Sequence, residues 1–243
     1  MPTKKSWDVV AEQYAASVSE TGDVYHKTYL NPIMLKLLGS VKRKRILDLA
    51  CGNGYFSRLL AKKHAIVTGI DYSEKLVELA VLQTGKNLNI KFSVGDASNL
   101  KCVKSNYFDV VVCNVSFHDI QKIDDAIKEC ARVLKNKGNL LFSIPHPGFH
   151  MGDRKKDSKG YYKAVRQYMS IGSVGHPFYK GVQFYHRPVE YYLQQLFKSK
   201  FLVSGFYEIP SLHSKGKKVI EKELLAFKKE FPSFLIVEAV LMK

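Results

Sequence analysis

The stretch from Arg45 to Ala61, RILDLACGNGYFSRLLA, constrains this chain more than any other. A short apolar strand, Ile46-Leu47-Asp48-Leu49, runs into a turn of small residues, Ala50-Cys51-Gly52-Asn53-Gly54. An amphipathic segment from Tyr55 to Lys63 follows. Strand, tight turn and helix are the first unit of a doubly wound α/β sheet, whose ligand crevice lies at such a turn. Small residues at 50, 52 and 54 let the backbone approach a ligand where a Cβ would intrude. The turn is not the dinucleotide fingerprint. Counted as G-x-G-x-x-G from Ala50, the first glycine is already Ala and the third falls on Tyr55. Asp48 stands just before the turn, where its carboxylate can face the crevice. A pyrophosphate is poorly matched to such a neighbour, because like charges repel.

An acid ahead of a small-residue turn suits a ligand with a nucleoside and a positive charge but no phosphate. S-adenosylmethionine is such a ligand. The stretch resembles motif I of the class I S-adenosylmethionine-dependent methyltransferases, acid-x-Gly-x-Gly-x-Gly, with Ala50 in place of the first glycine. The resemblance implies that Asp48, Ala50, Cys51 and Gly52 hold the methionine end of the cofactor. The plain alternative is a strand, turn and helix of some other α/β protein.

Two further acids stand at strand ends in register with this reading. The apolar run Ala65–Ile70 ends in Asp71-Tyr72-Ser73, and Asp71 lies near the ~20-residue distance expected of the acid that accepts from ribose hydroxyls. Tyr72 can lay its ring near the adenine, and Ser73 can cap the helix that follows. The third strand, Ile90–Val94, leads into Gly95-Asp96-Ala97. By resemblance, Asp96 accepts from the adenine amine and the Ala97 N–H donates to a ring nitrogen. The fourth strand, Tyr107–Cys113, is almost continuously apolar, as in a sheet covered on both faces. Its carboxyl end brings Asn114 to the cofactor edge. It lacks the Asn/Asp-Pro-Pro-Tyr/Phe motif of enzymes that methylate amino nitrogens of bases or glutamine. His118, just beyond, and His146, within Pro145-His146-Pro147, are candidate general bases for an acceptor. A packing role is the alternative for each.

The ends and the middle complete the pattern. Trp7, Val10, Ala11 and Tyr14 share one face of a helix that Ser6 can cap, and WDxxAxxY resembles the cofactor-covering segment of small-molecule methyltransferases. Residues 1–40 are therefore expected to form a helical lid, with Tyr14 over the cofactor. Lys27 can meet the cofactor carboxylate, or it is simply a solvated lysine. Asn31 can cap a helix that runs to Leu38. The phrase ARVLKNKGNLLFSIPHP resembles the family's fifth-strand element, with Asn136 where proline is usual. Asp124 or Asp125 can cap the helix before it. Residues 148–187 lose apolar periodicity and are read as a substrate-binding insertion. Tyr162, Tyr168, Phe178, Tyr179 and Phe184 would line an aromatic pocket there; a surface hairpin packing its own aromatics is the alternative. A helix after Pro188, strands over 201–209 and 233–241 and a helix over 217–229 close the chain. The expected fold is α/β: one domain over 1–243, a doubly wound, mostly parallel seven-stranded sheet with the last strand pair antiparallel.

The 243 residues carry 38 Lys and Arg against 22 Asp and Glu, a net charge of +16. That balance is compatible with RNA or another polyanion, but the lysines are scattered and no basic block stands out. A small-molecule acceptor is favoured, with a nucleic acid or protein substrate, or a non-catalytic cofactor-binding subunit, as alternatives. No apolar run is long enough to span a membrane. The first residues lack the apolar stretch of a secretory signal, and the four cysteines lack C-x-x-C spacing, so a cytoplasmic location is expected. No metal is expected. The acceptor and the oligomeric state are left open.

Overall fold

The computed structural model describes residues 4–150, 152–212 and 222–243. Helix α1 (Lys4–Val18) leads through a π-helical turn, His26–Leu30, into α2 (Asn31–Leu38). The alternating unit follows: β1 (Arg45–Leu49), α3 (Tyr55–Lys62), β2 (Ile66–Asp71), α4 (Glu74–Leu82), β3 (Ile90–Val94), β4 (Phe108–Asn114), α5 (Ile123–Val133) and β5 (Leu134–Pro145). Two hairpins come next, β6 (Asp153–Asp157) with β7 (Gly160–Ala164), and β8 (Gly172–Gly175) with β9 (Gln183–His186). The chain closes with α6 (Val189–Lys198), β10 (Phe201–Pro210), α7 (Lys222–Glu230) and β11 (Pro232–Leu241).

Seven strands form one sheet in the order β10-β11-β5-β4-β1-β2-β3. The pairs from β3 to β5 are parallel, and β11 is antiparallel to both β5 and β10. The doubly wound sheet with an antiparallel closing pair is thus as expected. The order reverses at β1, between β2 and β4, and ligands meet such sheets at the carboxyl ends beside that reversal.

Both faces are covered, so each central strand is mostly apolar yet still sorts by parity. Leu47, Leu49, Val111, Cys113, Leu140 and Phe142 join one buried cluster with residues of α5 and α6. Ile46, Val110, Val112 and Leu141 join the other, with Met34 of α2 and Phe56 and Leu60 of α3. Asp48 and Asn114 share the parity of this second set.

Several boundaries move. Helix α1 is already formed at Lys4, so Ser6 lies inside its first turn. Asn31 is not a cap: the π-helical turn runs straight into α2, and the buried Asn31 side chain accepts from the Tyr55 hydroxyl. Lys122 holds the N-cap position of α5, leaving Asp124 and Asp125 in its first turn, where the helix dipole favours them. Strand β5 begins at Leu134, directly after the helix. Of the helix expected over 217–229, Lys222 onward is helical, and 217–221 lie outside the described residues. Among the described residues no helix is long and apolar enough to cross a membrane.

Candidate active site

A cavity of about 310 Å³ is walled by the residues that follow β1, β2, β3 and β4. Its floor is the first turn, where Ala50 and Gly52 both take left-handed backbone (φ 56°) and both line the cavity. Gly52 leaves no room for a larger residue, since a Cβ there would sit 2.8 Å from the Tyr14 hydroxyl oxygen. Asp71, at the end of β2, is buried against this floor. Its Oδ2 accepts from the Gly52 N–H at 2.7 Å and its Oδ1 from the Ser73 N–H at 2.9 Å. Burial pushes the Asp71 carboxyl up, and the Ser73 and Gly52 amides oppose that. A carboxylate offers about four acceptor sites, so with the Ser73, Gly52 and Tyr72 amides on it one remains for a further donor.

Tyr72, Gly95, Asp96, Ala97 and Ser98 continue the wall. Asp96 is exposed, with Oδ1 accepting from the Ser98 N–H and hydroxyl at 2.8 and 2.7 Å. Helix α1 lies alongside: Trp7 and Tyr14 line the cavity, and Asp8 accepts from the Ser73 hydroxyl and, at 3.2 Å, from the Lys75 N–H at the start of α4. Ser73 also caps α4 by accepting from the Leu76 N–H, as its position in the sequence suggested.

The residues 47–142 match the family model of the methyltransferase domain. Over 124 residues the chain is 35% identical to the ubiquinone biosynthesis O-methyltransferase of Coxiella burnetii, a match covering 49% of this chain and 53% of that enzyme. The chain thus spans about half the length of that relative. Residues 47–142 form a methyltransferase domain. An uncharacterized protein of Haemophilus influenzae is 29% identical over 84% of this chain and 91% of its own. An S-adenosylmethionine-dependent methyltransferase from Mesorhizobium loti shares the fold at a TM-score of 0.72, with 24% identity over 86% of this chain and 96% of that one.

Methyltransferase sites predicted from sequence divide into those on the cavity wall and those behind it. Tyr14, Ala50, Gly52, Asp71, Tyr72, Asp96 and Ala97 are on the wall. Asp48 is behind it. Strand parity turns its carboxylate toward α3, where Oδ2 accepts from the Ser57 hydroxyl at 2.6 Å. Burial lifts its pKa to about 7, against the opposing Ser57 bond and with a further push from Asp71. Cys51 is buried, its N–H donating to the Ile70 carbonyl. Asn114 also points away, donating to the Tyr55 hydroxyl at 2.7 Å and accepting from the Ser143 hydroxyl at 2.6 Å. Lys27 is exposed and off the cavity; its neighbour His26 is the buried one, paired with Asp23 at 2.8 Å.

The two histidines have different surroundings. His146 lies off the cavity with both ring nitrogens engaged: Nδ1 accepts from the Gly148 N–H, and Nε2 meets Glu208 Oε1 at 2.8 Å. His118 lies directly behind the wall residue Asp119, with its ring 4.8 Å from Phe184. Burial pushes its imidazole well below the usual range, and His176, His150 and Arg187 add to that. His176 and His150 of the insertion were not legible as site residues, because no fixed spacing ties them to His118. Of the five aromatics expected to form a pocket, Tyr179 packs on Trp7 and Tyr14, and Phe184 on His118. Phe178 and Tyr162 are exposed, and the Tyr168 hydroxyl accepts from the Val189 N–H at the start of α6.

The cavity suits the cofactor the family implies. A left-handed glycine floor, a buried carboxylate with a spare acceptor site and a second carboxylate at the next strand end offer acceptors for hydroxyl and amino groups. With Asp119 they make an acidic pocket in a chain of net charge +16, which favours a cationic ligand over a phosphate.

Proposed function

We propose that this chain transfers the methyl group of S-adenosylmethionine to a small-molecule acceptor. One observation carries the reading: Asp71 and Asp96, at neighbouring strand ends, share one cavity with the Ala50–Gly52 turn. Asp71 would accept from the ribose hydroxyls, Asp96 and the Ala97 N–H would meet the adenine edge with Tyr72 beside it, and the turn would carry the methionine end. Tyr14 and Trp7 of α1 would cover the cofactor. Asp48 acts through Ser57, by fixing the floor, rather than by contact.

The bound cofactor supplies an electrophilic methyl group, and transfer then needs an acceptor atom held in line with the breaking bond and shielded from water. Val182 and Gln183 of the insertion line the same cavity. Residues 148–187 thus supply part of the acceptor's wall. Asp119, with His118 behind it, marks the end at which an acceptor proton would be handled. A wall shared by α1 and insertion residues favours a small acceptor over a polymer, and the role of the Coxiella relative in ubiquinone biosynthesis points the same way.

The test is calorimetric titration with S-adenosylhomocysteine, for the wild type and Asp71→Asn, with NADH as control. Micromolar binding to the wild type, weakened at least about 10-fold in the variant as expected for one lost hydrogen bond to a charged group, supports the reading. Absence of binding to folded wild-type protein, with and without a panel of phenolic and carboxylate acceptors, would remove it.

A further inference from the structure

At the acceptor end of the cavity, three side chains of metal-ligating type converge. The 3-10 turn Phe117–Asp119 after β4 presents His118 and Asp119, and the turn between β8 and β9 presents His176. One ligating atom from each lies within 4.8 Å of the other two. His118 Nε2 and Asp119 Oδ1 are 3.4 Å apart. That is the edge of a tetrahedron about an ion with bonds of ~2.0–2.1 Å.

A second observation is independent of this spacing. Asp119 Oδ1 is buried and lacks a hydrogen-bond partner among the described residues. Buried polar atoms are almost always paired, and this carboxylate oxygen asks for a bound ion or water. The donor set favours the ion, since two imidazoles and a carboxylate are ligands of first-row metals. The rings are also held by packing: His118 on Phe184, and His176 on Tyr179 at 4.9 Å.

We propose that His118, Asp119 and His176 are the three protein ligands of a divalent first-row metal ion at the acceptor end of the cavity. Two neutral imidazoles and one carboxylate suit zinc, iron(II), cobalt(II) or manganese(II) rather than magnesium or calcium, which prefer all-oxygen sites. Three ligands leave positions open, and Asp119 places the site beside the cavity. Binding requires one adjustment. His176 Nδ1 accepts from the Phe178 N–H at 3.2 Å, which leaves the proton on Nε2. Ligation through Nε2 moves that proton to Nδ1 and gives up the Phe178 bond, and the exposed turn can shift to allow it.

The role of the ion rests on the methyl-transfer reading above. An acceptor hydroxyl on the open position would lose its proton to water at lower pH. The oxyanion then forms the new oxygen–carbon bond as the carbon–sulfur bond breaks, and its electron pair stays on sulfur. His118 would be a ligand in this scheme, and no separate base is needed.

The experiment is titration of chelator-treated, tag-free protein with cobalt(II), followed by visible absorption and by metal content after desalting. The expected result is one cobalt per chain with a low-symmetry visible band. His176→Gln and Asp119→Asn should each weaken binding by about 100-fold, since even outer-shell losses cost 10–100-fold; exposed His64→Gln should not. His176 sits on a hairpin turn, so its variant keeps the test informative if Asp119→Asn fails to fold. Failure to bind cobalt, or equal binding by wild type and His176→Gln, would overturn the proposal. S-adenosylhomocysteine titrated into the metal-free protein separates the two readings: binding there with no cobalt site leaves the cofactor reading standing alone.

Discussion

The Gly52 N–H donates to Asp71 Oδ2 at 2.7 Å, tying the acid at the end of β2 to the turn at the end of β1. The bond links two strands that already pair in register, Leu49 opposite Ile70. It fixes the carboxylate at the wall of the cavity. The floor and the proposed ribose acceptor are thus joined, so damage to either should be felt by the other.

Gly52→Ala tests the floor. The new Cβ would meet the Tyr14 hydroxyl at 2.8 Å, in a left-handed backbone that costs a non-glycine residue roughly 1–2 kcal/mol. S-adenosylhomocysteine affinity should fall at least about 10-fold. Tyr14→Ala in the same chain should recover the steric part and leave the backbone part. Calorimetry on the single and double variants measures both, and an additive outcome would mean that the two residues do not meet.

Asp48 gives a pH dependence. Its carboxyl titrates at about 7 in the folded chain, far above the ordinary value near 3.9. Between those values the folded chain holds one proton more than the unfolded chain, so stability falls as pH rises from about 4 to 7, and the penalty is complete above that. Asp48→Asn removes the penalty. Urea titrations should show the variant gaining on the wild type with rising pH, by at most about 4 kcal/mol at pH 8, with the difference vanishing near pH 4. A pH-independent difference would assign the burial of Asp48 another cause.

Asp8→Ala should loosen α1. Asp8 accepts from the Ser73 hydroxyl and the Lys75 N–H, so its loss removes a contact worth about 1 kcal/mol. Hydrogen exchange in residues 5–18 should quicken several-fold while the central strands stay protected. Unchanged exchange would place the docking of α1 in its aromatic contacts alone.

His146→Gln separates packing from chemistry. The ring bridges the Gly148 N–H and Glu208 and stacks on Phe149 at 4.8 Å. The variant should lose about 1–3 kcal/mol of stability, as expected when a buried polar pairing is broken, and keep its S-adenosylhomocysteine affinity. A loss of affinity without a loss of stability would return His146 to the site.

The sheet, its closing antiparallel pair and the wall residues Asp71, Asp96 and Gly52 were legible because each is a local pattern: an apolar run, then an acid or a small residue. Asp48 and Cys51 were assigned to the crevice because they neighbour the turn in sequence, and Asn114 because it stands at the carboxyl end of the fourth strand. A one-residue step along a strand reverses the face, and the sorting of Ile46 and Val112 against Leu47 and Val111 places Asp48 and Asn114 on the α3 side. Periodicity could not reveal this in strands that are apolar on both faces. The insertion hid its form for the opposite reason. Strand β6 reads Asp-Arg-Lys-Lys-Asp and is exposed throughout, so it carries no burial alternation. His176 reaches His118 only through a hairpin that the sequence does not announce.

Tyr14 lies over Gly52 and packs on both Trp7 of its own helix and Tyr179 of the insertion, at ring distances of 5.7 and 5.8 Å. Under the proposed function, a cofactor on the glycine floor lies against this ring, so its arrival bears on a cluster drawn from both ends of the fold. Opening of α1 and of the β8–β9 turn would then be coupled, and the rate of that joint opening would set a ceiling on turnover.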